Sequence, residues 1–162
     1  MSRAIDRFTE AARLQGLDPA IRRFPEGTKT AADAAAAIGC EVGQIVKSLV
    51  FTAEGSDGAA GPLLALTSGA DRADVKVLAV LVGADAVRRA TPDEARAATG
   101  FAVGGTPPFA HPAPVRTLCE RNLLAYDEVW AAAGTPDSVF PLTPADLLRV
   151  SGASVAEFAE PG

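Results

Sequence analysis

The sequence predicts a single α/β (α+β) domain over residues 1–162, built on a mixed β-sheet with flanking helices. Three observations carry this. Short apolar runs of strand length alternate irregularly with capped or alanine-rich helical segments, without the regularity of repeated βαβ units. The longest strand-like run is followed by a glycine-rich connection and a second apolar run, which predicts an antiparallel hairpin. No internal repeat occurs, and no linker is long enough to divide the chain. A length of 162 residues, 48% of them hydrophobic and 22% charged, suits one packed core rather than a disordered chain.

The elements follow in order. Ser2 is placed to cap a first helix running to about Leu14, whose Ala4, Ile5, Phe8, Ala11 and Ala12 form an apolar stripe. Gly16 and Pro19 end it. Ala20 to Phe24 reads as a short strand, and Pro25-Glu26-Gly27 as a turn. Thr30 to Asp33 has the pattern of a capping box before an alanine-rich helix stopping at Gly39. Val42 to Thr52 reads as a mostly buried strand because Ile45, Val46, Leu49, Val50 and Phe51 are β-branched, aliphatic or aromatic. Glu54 to Gly61 connects it to a returning strand over Pro62 to Thr67. Asp74 to Leu81 reads as a helix. Thr91-Pro92-Asp93-Glu94 starts another, with Thr as cap and Pro at the first position, ending before Gly100. Phe101 to Val103, Val115 to Leu118, Leu123 to Tyr126, Val129 to Ala133 and Ser138 to Leu142 read as short strands. Thr143 caps a helix through Val150, and Ser154 to Phe158 reads as a last helical turn.

Composition excludes several functions. A net charge of −5 argues against coating nucleic acid through a broad basic surface, though not against contact with the end of an RNA. No helix-turn-helix with a basic recognition helix is visible, so DNA is not an expected partner. No apolar run reaches membrane-spanning length, and the N-terminal residues carry no hydrophobic signal core, so a cytoplasmic protein with no membrane partner is expected. Two distant cysteines, Cys40 and Cys119, imply no disulfide framework. A zinc site would need both of them, the sole histidine and a carboxylate to converge, so neither metal nor cofactor is expected.

Two stretches are the candidates for chemistry. Lys47 sits in the middle of the Val42–Thr52 run, where a lysine must reach water, pair with an acid or line a cavity. A solvated lysine on an edge strand is the plain alternative. The second stretch is Gly104-Gly105-Thr106-Pro107-Pro108-Phe109-Ala110-His111. Its glycines permit close backbone approach and positive φ, and can expose N–H groups to an anion or a carbonyl oxygen; its prolines stiffen it. A rigid surface turn is the alternative there. His111 could serve as a base, but no orienting acid is identifiable, which favours a structural or rim role. Thr28, Lys29 and Thr30 precede a helix N-terminus that can also bind anions. The pairs Arg22-Arg23 and Arg88-Arg89 read as solvated faces that could also meet phosphates. No phosphate-binding loop, dinucleotide fingerprint or nucleophile-elbow motif occurs.

Val-Gly-Gln-Ile-Val-Lys47-Ser-Leu-Val-Phe, followed some sixty residues later by Gly104-Gly105-Thr-Pro-Pro108-Phe-Ala-His111, resembles the free-standing YbaK/ProX-type aminoacyl-tRNA editing domains, relatives of the domain inserted in bacterial prolyl-tRNA synthetase. The helix start at Thr30 and the segment Val-Phe-Pro-Leu-Thr-Pro-Ala-Asp-Leu fit as well, so the resemblance covers nearly the whole chain. It implies a mixed, curved sheet. It implies a trans-editing hydrolase cleaving the ester of misacylated tRNA, most often tRNA for proline carrying Ala, Cys, Ser or Thr. Lys47, Gly104 and Gly105 would form the catalytic set, with Lys47 in the cleft and the glycines offering backbone groups to the ester. Thr30, Ser48, Thr106, Pro107, Pro108 and His111 would bind substrate. The implied partners are the acceptor end of aminoacyl-tRNA and prolyl-tRNA synthetase. This chain has Pro107 where many members have Ser, Ala110 where many have Gly, and Val139 where cysteine-specific members carry an aspartate. A catalytically inactive binding module of the same fold, and a hydrolase of other activated esters, are the competing functions.

Overall fold

The computed structural model describes residues 3–25, 30–55 and 60–161. The proposed Ser2 cap, most of the Pro25-Glu26-Gly27 turn, Thr28, Lys29 and the centre of the 54–61 connection lie outside them. The elements are α1 (Arg3–Leu14), β1 (Arg22–Arg23), α2 (Ala31–Ile38), β2 (Val46–Glu54), β3 (Gly61–Ser68), β4 (Asp71–Ala73), α3 (Val75–Val82), β5 (Ala86–Arg89), α4 (Pro92–Thr99), β6 (Arg116–Glu120), β7 (Val129–Ala132), β8 (Ser138–Leu142), α5 (Pro144–Ser151), β9 (Ser154–Ala156) and β10 (Ala159–Pro161).

The main sheet is five-stranded and mixed, in the order β5-β2-β3-β6-β9. The hairpin is present: β2 and β3 pair antiparallel from Val46 opposite Ser68 to Ala53 opposite Gly61. β6 and β9 join in parallel. A three-stranded antiparallel sheet, β1-β8-β7, and a two-stranded ribbon, β10-β4, complete the fold. A parallel bridge between Ile45 and Trp130 ties the small sheet to the start of β2.

β2 and β3 are apolar because both their faces are covered, as in a central strand pair. On one face Val46, Val50, Leu64 and Leu66 meet Leu123, Val129 and a cluster of Phe8, Phe109 and Phe140. The three rings lie with centroids 4.7–6.4 Å apart, at tilted or edge-on angles. On the other face Phe51, Leu63 and Ala65 pack under Leu78 and Val82 of α3 and under Phe158. Each helix from α2 on begins at a side-chain cap: Thr30, Asp74, Thr91 and Thr143 all accept from backbone N–H groups of the first turn. At Thr91 the capping box is reciprocal, since Glu94 accepts from the Thr91 N–H at 2.8 Å.

Several expected elements differ. Val42–Gln44 is a 3-10 turn rather than strand, with Gly43 so close beneath Tyr126 that a Cβ there would lie 2.0 Å from the phenol oxygen. Leu123–Tyr126 is not a strand; a 3-10 turn over Arg121–Ala125 begins where the Glu120 carboxylate accepts the Asn122 N–H. Phe101–Val103 forms no strand, because Phe101 N–H bonds the Thr99 hydroxyl and the chain turns at once into the glycine loop. Ser154–Phe158 is extended rather than helical: β9 lies beside β6, and Phe158 N–H donates to the buried Glu120 carboxylate. The Ala20–Phe24 strand reduces to Arg22–Arg23.

Candidate active site

The edge of β2 is covered at both ends and open between them. β5 pairs with residues 51–54 only, and Ala90 N–H closes that end on the Val50 carbonyl at 3.0 Å. The Ile45–Trp130 bridge closes the other. The stretch Lys47-Ser48-Leu49 faces the gap, and a cleft of about 340 Å³ opens there. Its apolar wall comes from Ala31 and Ala34 of α2, Ile45, Trp130 and Ala132 of β7, and Val139 of β8. Lys47, Ser48, Arg89, Gly104, Thr106 and Pro136 also line it.

Lys47 is half-buried, and its ammonium donates to the carbonyl of Asp71 at the start of β4. That residue is held in turn by Asn122, which donates to the Asp71 carboxylate at 2.9 Å. Burial pulls the Lys47 pKa below its ordinary value; the Asp71 carboxylate opposes this, while Arg89 and Arg72 add to it. One of three ammonium protons is committed, so two remain for a ligand. Ser48 lies on the opposite face of β2. Its Oγ is shielded from water and is the one buried side-chain polar atom without a hydrogen-bond partner among the described residues. A desolvated hydroxyl without a partner is costly.

The two loop glycines have different jobs. Gly104 has φ +88° and stands exposed at the cleft rim, where a Cβ would meet only Pro136 at 3.7 Å. Gly105 is buried behind the rim. Its N–H is donated to the Ala102 carbonyl at 3.0 Å, and a Cβ there would lie 2.7 Å from Thr135 Cα and 2.9 Å from the Gly134 oxygen. The pair therefore lets the loop press against the 134–138 turn, and the Gly105 N–H expected to face the ester is already bonded within the loop. The Thr106 hydroxyl likewise turns back to Ala102, at 3.2 Å. The opposing turn is fixed by its own side chains: Thr135 Oγ1 donates to Asp137 at 2.6 Å, and Asp137 receives Arg23 at 3.1 Å.

The remaining expected residues are placed as follows. Thr30 lines the cleft at the α2 N-terminus, with its hydroxyl accepting the Asp33 N–H at 3.0 Å. Pro107 and Pro108 are buried behind the loop and do not line the cleft, and neither does His111. The His111 ring nitrogen Nε2 donates to the Pro107 carbonyl at 2.9 Å, and burial holds the imidazole below its usual pKa, so it braces the loop as a neutral ring. Ala110, beside it, has φ +77° and is the only non-glycine residue with positive φ among the described residues. A glycine would adopt that φ without a Cβ penalty. Sequence reading did not find the Trp130–Val139 wall as a unit. Its only signals were a lone tryptophan in an apolar strand and the position of Val139.

The sequence profile described as the aminoacyl-tRNA editing domain matches residues 25–150. The chain belongs to that family. Among solved structures, this editing domain is similar to one described as a candidate trans-editing enzyme for prolyl-tRNA synthetase, with 43% identity, a TM-score of 0.90 and 99% of each chain covered. It is 29% identical over 135 residues to YwhH of Bacillus subtilis, an uncharacterized protein, with 83% of each chain covered. It is also 29% identical over 140 residues to the proline–tRNA ligase of Streptococcus thermophilus, covering 86% of this chain and 22% of the ligase.

Proposed function

We propose that this editing domain is a trans-acting hydrolase of misacylated tRNA, acting on tRNA for proline that carries a small non-cognate amino acid: Ala, Ser, Thr or Cys. The observation that carries the reading is the cleft itself: a half-buried lysine and an exposed glycine peptide line one largely apolar pocket. The relation to a proline–tRNA ligase and to a candidate editing partner of prolyl-tRNA synthetase supports the choice of tRNA.

An aminoacyl ester is already activated, so positioning a water and stabilising the oxyanion can suffice. Water oxygen bonds to the carbonyl carbon and the carbonyl oxygen takes up negative charge. The bond from that carbon to the ribose oxygen then breaks. The proton lost by the water is balanced by the one gained at the ribose oxygen, leaving free amino acid and tRNA. The Lys47 ammonium and the rim peptide at Gly104 stabilise the oxyanion. The two cysteines are unsuited to covalent catalysis: burial pushes the Cys119 thiol up to about 12 and also raises Cys40, and neither lines the cleft. Selection is steric. Ala31, Ala34, Ala132 and Val139 bound a pocket that admits small side chains, and each methylene of difference is worth about 1–3 kcal/mol.

The test is deacylation of tRNA for proline charged separately with Ala, Cys, Ser, Thr and Pro, by wild type and Lys47→Ala. Release of one small amino acid, with proline spared and the variant inactive, is the expected result. No release above the spontaneous rate from any of the five overturns the proposal in favour of a binding module.

A further inference from the structure

A second groove, of about 590 Å³, adjoins the cleft and shares Lys47, Leu49 and Arg89 with it. It lies on the α3 face of the sheet, floored by Leu49 and Phe51, with Arg72 and Lys76 along its far side. Two of the chain's three lysines are here, in a protein of net charge −5. The groove also holds two acids. The Asp74 carboxylate is taken up by the N–H groups of Lys76 and Val77 at 3.0 and 3.3 Å, so the α3 N-terminus offers nothing further. Glu160 faces Arg72 at 3.9 Å in an exposed pair, an arrangement of little strength that a stronger anion can displace. Lys47, Lys76 and Arg89 meet no carboxylate within ion-pair distance among the described residues; Arg89 lies 5.6 Å from the Phe51 ring centroid.

We propose that this groove binds the phosphodiester backbone of the tRNA acceptor strand immediately upstream of the scissile ester, with Arg72, Lys76 and Arg89 as its phosphate contacts. The inference rests on the hydrolase reading above, which puts the ester at Lys47. From there the strand has two directions. The cleft is lined mainly by apolar side chains, Trp130 and Val139 among them, and suits an acyl side chain. The groove adds Arg72 and Lys76 to the shared Lys47 and Arg89, and suits a charged backbone. A basic path that begins at the catalytic lysine lets an acidic protein hold RNA through few phosphates.

The experiment is fluorescence anisotropy of an uncharged RNA hairpin ending in CCA, labelled at its 5′ end, titrated with wild type and with the Arg72→Ala/Lys76→Ala double variant over a range of salt. Both positions are exposed, so folding is not at stake. The expected result is a Kd raised at least tenfold, with the slope of log K against log salt reduced by about 1.4 for two lost single-strand contacts. An unchanged Kd and slope overturns the proposal. So does weakened binding with an unchanged slope, which means that the two cations act on something other than phosphate. In parallel, the ratio of kcat/KM on aminoacyl-tRNA to that on aminoacyl-adenosine, which has no upstream phosphate, falls in the double variant; a constant ratio counts against the groove. If wild type hydrolyses neither substrate, the hydrolase reading falls, and the RNA titration still decides whether the groove binds a strand.

Discussion

Gly105→Ala is the perturbation for which the structure gives the sharpest expectation. The added Cβ would stand 2.7 Å from Thr135 Cα, 2.9 Å from Thr135 C and 2.9 Å from the Gly134 oxygen. All three are backbone atoms of the facing turn, so no side chain can swing aside. That turn is pinned by Thr135, Asp137 and Ser138, and Gly134 packs so closely on α1 that a Cβ there would lie 2.8 Å from the Ala4 carbonyl oxygen. The glycine loop and the 134–138 turn must separate by several tenths of an ångström. Overpacking of this kind costs about 1–3 kcal/mol, and the rigidity on both sides favours the upper part of that range. The neighbouring Gly104→Ala meets only Pro136 at 3.7 Å and pays instead for φ +88°, about 1–2 kcal/mol. Urea unfolding of the two variants, read as midpoints at constant m, separates the causes. Gly105→Ala is expected to lose more stability than Gly104→Ala and to widen the cleft, raising KM for aminoacyl-tRNA. A Gly105→Ala protein within about 0.5 kcal/mol of wild type would refute the packing argument and return that glycine to a role in contact with substrate.

Four further outcomes follow from individual groups. The Lys47 ammonium, depressed by burial, loses its proton at lower pH than a free lysine, so kcat/KM above background falls on the alkaline side below the ordinary value of about 10.4, and this limb is absent from the residual activity of Lys47→Met. Ser48→Ala removes a shielded hydroxyl with no partner, so the urea midpoint is expected to hold or rise; a falling midpoint would contradict the absence of a partner for that hydroxyl. Ala110→Gly relieves a positive φ and raises stability by up to about 1 kcal/mol, a gain limited by the extra freedom glycine has when unfolded; a loss of stability contradicts it. The Glu94 carboxyl is held at about 2 by the Arg88 guanidinium and the Thr91 N–H, so its contribution is present above the unfolded carboxylate pKa and disappears as pH falls toward 2; the midpoint gap between wild type and Glu94→Gln is expected to close over that interval.

How much of this was legible in the sequence differs by element. The helix starts were, because a cap is a local chemical event: Thr30, Thr91 and Thr143 bond N–H groups three residues on, and their sequence neighbours alone determine that. The hairpin of β2 and β3 was legible for a similar reason. The short elements were not. β4 and β5 have little apolar pattern, since each is ordered by a partner distant in sequence, β10 for one and β2 for the other. The last segment, Ser154–Phe158, is extended because a carboxylate 38 residues earlier, on Glu120, takes its N–H. No local propensity encodes such a bond.

The candidate site divides along the same line. Lys47 stood out because a charge inside an apolar strand is a local anomaly, and the glycine loop because two glycines before two prolines admit few conformations. The rest of the cleft lining did not, because Trp130, Pro136 and Val139 are ordinary residues that come together only when the small sheet is bridged to β2 at Ile45. The roles within the loop were also beyond the sequence. Gly104 and Gly105 are adjacent and chemically identical, yet one supplies a rim conformation and the other a close approach between backbones. Only the position of residues 134 and 135 distinguishes them, and those are thirty residues away. A pattern can therefore mark where backbone comes close to something without saying whether that something is substrate or the protein itself.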